Sequence, residues 1–126
     1  MIQRENERGI ASSRVVLAGF SQGGAVSLYL AARYPHKLAG ILALSTYLAL
    51  ADKLAAESLE VNRSTPIFLA HGSIDPMIPE ERGRAARSAL KRAGYGVQWH
   101  CYRMGHEVCN QEVVDTALFL RQILSA

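Results

Sequence analysis

Ser21 stands in Gly19-Phe20-Ser21-Gln22-Gly23, between an apolar run, Val15-Val16-Leu17-Ala18, and a helix-compatible run from Gly24 to Arg33. A serine hydroxyl is a poor nucleophile at its own pKa and needs a base within hydrogen-bond reach. A sharp strand-to-helix turn lifts such a hydroxyl above a sheet edge and forces the serine into a strained backbone conformation. Residues two positions away on either side must then be small, and Gly19 and Gly23 meet that need. The competing reading is an ordinary glycine-rich turn; the strand before it and the helix after it speak for the nucleophile. The remaining chemistry-bearing residues are His71 and Asp75 in His71-Gly72-Ser73-Ile74-Asp75-Pro76, and His106 in Met104-Gly105-His106-Glu107-Val108-Cys109.

Which of these can meet depends on the elements that carry them. Residues 2–10 read as the end of a polar helix stopping at Gly9, followed by a turn at Ser12 and Ser13. Arg14 to Phe20 is a short β-branched and apolar run, predicted as a strand buried on both faces. The following helix carries Val26, Leu28, Tyr29, Leu30 and Ala32 and ends at Tyr34-Pro35, because a residue before proline avoids the helical region. Leu38 to Leu44 reads as a second buried strand, Ala49 to Leu59 as a short helix, and Ile67 to Ala70 as a third strand leading into the loop of His71 and Asp75. Pro79 opens a helix with Glu80 and Glu81 at its start, Lys91 and Arg92 at its end and Gly94 beyond. Val97 to Tyr102 is a fourth strand, Arg103 to Cys109 a loop, and Gln111 to Leu124 a last amphipathic helix carrying Val113, Val114, Ala117, Leu118, Ile123 and Leu124.

Strand and helix alternate throughout, which predicts an α/β fold, a parallel sheet with helices on both faces, in a single domain over residues 1–126. Active sites of such sheets gather beyond the carboxyl ends of the strands. That rule keeps Ser21 after the first strand, His71 and Asp75 after the third, and His106 after the fourth. In the expected roles, His106 takes the Ser21 proton, Asp75 holds the other ring nitrogen, and the Gln22 backbone N–H points at a developing oxyanion.

The rivals have plainer readings. His71 is expected to be a structural histidine bonded to backbone near its loop. His100 lies within a strand, and His36 follows Pro35 in an exposed turn. Asp52 follows the second strand and is the alternative acid. Glu107 adjoins His106 and should point elsewhere. Cys109 lacks the turn that would present a nucleophile, Ser27 and Ser45 read as helix and turn serines, and Arg103 and Met104 as packing or pocket wall.

The bulk numbers exclude several classes. The 126 residues are 49% hydrophobic and 20% charged, which fits a globular core. No apolar run approaches the roughly 20 residues of a membrane span, and the charged start Gln3-Arg4-Glu5-Asn6-Glu7-Arg8 is not a secretory signal. The net charge of +3 comes largely from Arg82, Arg84, Arg87, Lys91 and Arg92 along one helix, mixed with Glu80 and Glu81, which reads as a solvated face rather than a nucleic-acid patch. Two cysteines, Cys101 and Cys109, match no zinc spacing and are expected as free thiols.

Together, Leu17-Ala18-Gly19-Phe20-Ser21-Gln22-Gly23-Gly24-Ala25, the His71–Pro76 stretch and the Met104–Cys109 stretch resemble the bacterial carboxylesterase and acyl-protein thioesterase/lysophospholipase family of α/β-hydrolases. The resemblance implies hydrolysis of small carboxylic esters, thioesters or lysophospholipids by a Ser21, Asp75 and His106 triad. It also implies no metal or organic cofactor and a cytoplasmic enzyme of a kind that often forms dimers; with the charge and hydropathy above, no nucleic-acid partner and no stable membrane insertion are expected. It extends over a C-terminal half, four strands of the α/β-hydrolase fold. The family's other half, with a His-Gly-type loop giving a second oxyanion N–H, has no match in these residues. The run Val15 to Phe20 is therefore expected as an exposed sheet edge, open to pairing, and the last helix as the sole cover of one sheet face.

Overall fold

Four apolar runs become four parallel strands in the order β1-β2-β3-β4 in a computed structural model that describes residues 2–125. They are β1 (Val16–Phe20), β2 (Gly40–Leu44), β3 (Ile67–Gly72) and β4 (Val97–Tyr102). Phe20 pairs with Leu44, Leu44 with Ala70, and Ala70 with His100, so the strand ends line up along one edge of the sheet. The helices are α1 (Ile2–Glu7), α2 (Gln22–Arg33), α3 (Leu54–Glu57), α4 (Glu80–Arg92) and α5 (Asn110–Leu124).

Side chains alternate across each strand, so one sequence feeds two cores. Leu17, Ile41, Ala43, Ile67 and Leu69 point to the face covered by α2 and α4, where Leu28, Ala31, Ala86 and Leu90 meet them. Leu42, Phe68 and Ala70 point to the other face, where Phe119 of α5 lies. All six residues of β3 are buried, as a strand between two neighbours and two helix layers must be.

Several expectations shift. β1 was predicted as buried on both faces, yet only Leu17 in it is buried, because among the described residues β2 is its sole strand partner and its other edge is open. The helix expected over 49–59 breaks into a 3-10 turn at Ala51–Lys53 and the single turn of α3. β3 runs two residues further than expected, taking in His71 and Gly72, which pair with Cys101 and Tyr102. A side chain at Gly72 would collide with the Met104 carbonyl, so the loop after β4 can lie across this strand end only over a glycine.

In α5 only part of the expected apolar stripe faces inward: Ile123 packs against the Phe68 cluster. Val113, Val114 and Leu118 are exposed, while Glu112 and Phe119, one stripe at heptad spacing, are fully buried. Among the described residues no helix is long and apolar enough to cross a membrane.

Candidate active site

The turn from β1 to α2 is built by backbone contacts. Ser21 has φ 58° and ψ −121°, a conformation that a side chain tolerates only when its surroundings hold it there. Its N–H donates to the Leu44 carbonyl at 2.8 Å, continuing the sheet by one bond. Its C=O accepts from the N–H groups of Gly24 and Ala25 and from the Thr46 hydroxyl at 2.6 Å. A side chain at Gly19 would run into the backbone of Gly23, so strand and helix can cross only there. The second tight point is Gly24, where a Cβ would stand 2.8 Å from the Thr46 Cβ. Gly23, expected to be small for space, has open surroundings. Gly19→Ala is therefore expected to cost about 3 kcal/mol or more, read as a lower denaturation midpoint, whereas Gly23→Ala should cost about 1 kcal/mol or less.

Three loops deliver three side chains to the same point. Ser21 Oγ lies 3.0 Å from His106 Nε2, and His106 Nδ1 lies 2.7 Å from Asp75 Oδ2. The other carboxylate oxygen, Oδ1, accepts the backbone N–H groups of Met77 and Ile78, both at 2.9 Å. Burial alone would raise the Asp75 carboxyl; the bonds from Ile78, His106 and Met77 outweigh it and hold the group below the ordinary carboxylate value. The Asp75 side chain is fully buried and His106 nearly so. The Phe20 ring packs against the imidazole with centroids 4.8 Å apart. Gln22 heads α2, where an N–H has no intrahelical acceptor and is free to face an anion.

The rivals settle into other work. His71 is buried with Nε2 on the Ile78 carbonyl at 2.7 Å. His100 stacks on Phe68 and sits 3.8 Å from Asp115. Asp52 is exposed on its 3-10 turn, and His36 is exposed. Glu107 accepts the Gly105 N–H, bracing the loop of His106. Cys101 and Cys109 are free thiols. Ser27 bonds back to the Gly23 carbonyl, as a helix serine does. Ser45 is no ordinary turn serine: it has φ 51° and a buried hydroxyl with no partner among the described residues. Met104 is buried and Arg103 exposed.

Two contributors were missed in the sequence. Phe20 is the variable residue of the Gly-x-Ser pattern, and Thr46 follows β2 one residue after the turn begins; neither type announces its contact. An apolar cleft of about 290 Å³ opens beside Gln22, walled by Ala25, Val26, Tyr29, Leu30 and Tyr47. A larger cleft, about 370 Å³, lies at the opposite edge of the sheet near Pro66 and Gly96, away from the serine.

Glu112 is the other buried acid. Neither of its oxygens has a hydrogen-bond partner among the described residues, and burial pushes its carboxyl up to about 7. The unfolded chain would titrate it near ~4.3, so the folded state binds the extra proton between those values. Stability thus falls as pH rises through that window, and the full penalty is present above about pH 7. Glu112→Gln is expected to raise Tm by roughly 3–6 °C at pH 8 and to leave it nearly unchanged at pH 4; paired thermal melts check this.

Comparison with known proteins identifies the family and the fold. A family model described as phospholipase/carboxylesterase matches residues 1–124. The chain is 42% identical to an acyl-protein thioesterase 1 of Gibberella zeae, over 98% of its own length and 54% of the relative's. It is 43% identical to the acyl-protein thioesterase 1 of Neurospora crassa, over 98% and 52%. Among solved structures it superposes on Arabidopsis thaliana SOBER1 with a TM-score of 0.92 at 31% identity, over 98% of this chain and 59% of that one. The chain spans about half the length of the curated relatives it matches. Its sheet is a four-stranded part of the α/β-hydrolase fold, and the chain belongs to the phospholipase/carboxylesterase family.

Proposed function

We propose that the protein is a serine hydrolase of carboxylic esters or thioesters that works through an acyl-enzyme. His106 Nε2 removes the Ser21 proton as Oγ attacks the acyl carbonyl; the new imidazolium is held by Asp75 Oδ2 at 2.7 Å. The Gln22 N–H meets the oxyanion. His106 then protonates the departing alcohol or thiol, and water repeats the sequence in reverse to free the acid. The observation that carries this reading is the unbroken hydrogen-bond chain from Ser21 to Asp75, assembled from three separate loops. The apolar cleft beside Gln22 suits a substrate with a hydrocarbon portion, and the relatives' names point to acyl-protein thioesters. Removing one oxyanion donor costs an acyl-transfer enzyme about 10²–10³ in turnover, so the rate depends on a second N–H beside Gln22. The test is a p-nitrophenyl ester. It should give a nitrophenolate burst stoichiometric with protein and an acyl adduct on Ser21; turnover with no adduct on Ser21 rejects the mechanism.

A second reading rests on β1, whose outer edge has no strand partner among the described residues and ends in the exposed ring of Phe20. Such an edge takes a further strand, and the half-sheet would then act as a pairing module, with itself in a homodimer. Sedimentation equilibrium distinguishes the two: a dimer supports pairing, and an active monomer removes it.

A further inference from the structure

His71 is the one buried histidine among the described residues, at 1% exposure on the end of β3 under α4, and it takes no part in the proposed proton transfers. Its Nε2 lies 2.7 Å from the Ile78 carbonyl. A carbonyl only accepts, so the ring's proton sits on Nε2. Nδ1 has no partner among the described residues and faces Gly83, where even a methyl would stand 2.6 Å from it. The ring is therefore fixed from three sides: by its strand, by the Ile78 carbonyl and by the bare backbone of α4.

Ile78 is the residue on which this matters. Its C=O is held by His71, and its N–H is one of the two that fix Asp75 Oδ1. With Oδ1 fixed, Oδ2 has one direction left, toward His106 Nδ1. His71 Nε2 itself lies 3.7 Å from that same Oδ2, close enough to limit its swing. The connected groups run from His71 through Ile78, Asp75 and His106 to Ser21.

We propose that His71 is a positioning residue for the catalytic carboxylate, setting the Asp75 loop so that Oδ2 meets His106. This rests on the reading of Ser21, His106 and Asp75 as a triad. A histidine that merely fills space beneath α4 would affect stability alone; a positioning histidine affects Ser21 reactivity through Asp75.

The experiment measures fluorophosphonate labelling of the full chain, separating the maximal labelling rate from the half-saturating probe concentration. His71→Leu keeps bulk and removes the donor; it is expected to slow maximal labelling about 10–100-fold while half-saturation moves less than about two-fold. His71→Gln, whose amide N–H reaches the same carbonyl, should recover most of the rate. In an Asp75→Asn background, His71→Leu should slow labelling no further, because the group it positions is gone. A wild-type labelling rate in His71→Leu, or the same proportional loss in the Asp75→Asn background, overturns the proposal. If circular dichroism shows that His71→Leu does not fold, His71→Asn, too short to reach Ile78, takes its place with the same outcomes. Ser21→Ala separates the two claims. Labelling lost in Ser21→Ala but unaffected by His71→Leu rejects the role of His71 alone, and labelling that survives Ser21→Ala rejects the triad as well.

Discussion

Ser21→Ala is expected to cut ester hydrolysis by about 10⁴-fold or more while leaving the fold intact. The size follows from how the site is built. His106 has two partners, Ser21 on one nitrogen and Asp75 on the other, so removing the hydroxyl leaves a base with no nucleophile to activate. The backbone of the turn does not depend on that hydroxyl: the N–H of residue 21 bonds Leu44, and its C=O bonds Thr46 and the start of α2. Urea denaturation of the variant should therefore match that of the parent within about 1 kcal/mol, and steady-state hydrolysis of a p-nitrophenyl ester reads the loss. A variant that keeps a tenth of parental turnover would remove Ser21 from the reaction.

Asp75→Asn is expected to be nearly as damaging, about 10³–10⁴-fold in kcat, although it changes a single atom. The Met77 and Ile78 N–H groups demand an acceptor at the Oδ1 position, so an asparagine must place its carbonyl there. Its NH₂ then faces His106 Nδ1 and drives the ring proton onto Nε2, the nitrogen that must accept from Ser21. The wrong tautomer, rather than a lost charge alone, is the cause. KM should change little, since the acid does not reach the acyl group. The substitution also affects stability with a definite sign. The folded carboxyl titrates below its unfolded value, so its contribution is present above about pH 4 and is lost as pH falls through the lower folded pKa. The variant should thus lose stability at neutral pH and converge on the parent in acid, the reverse of the pattern expected for Glu112→Gln.

The sequence disclosed most where local pattern and chemistry coincide. Short apolar runs bounded by turn residues were legible as strands, and β4 falls on Val97–Tyr102, as expected. The carboxyl-end rule kept Ser21, His71, Asp75 and His106 out of many serines, acids and histidines, and the structure brings Ser21, His106 and Asp75 within hydrogen-bond distance of each other in series. His71 was expected to bond backbone, and it does. What stayed hidden depends on contacts between distant segments. Gly24 is tight because of Thr46, two elements away, while Gly23 is not. The apolar positions of α5 form a helical stripe, but a stripe shows only that residues share a side, not which side meets the sheet; Phe119 and Glu112 took that place, joined from the expected set by Ile123. A buried, unpartnered glutamate could not have been read from polarity, which argues for the surface.

Intact-mass and peptide mapping after treatment with a fluorophosphonate probe decide whether Ser21 is a nucleophile activated by His106. One adduct per chain is expected, on the peptide containing Ser21, absent in Ser21→Ala and at least about 10³-fold slower to form in His106→Ala. An adduct on any other residue, or equal labelling in the His106→Ala chain, would contradict it.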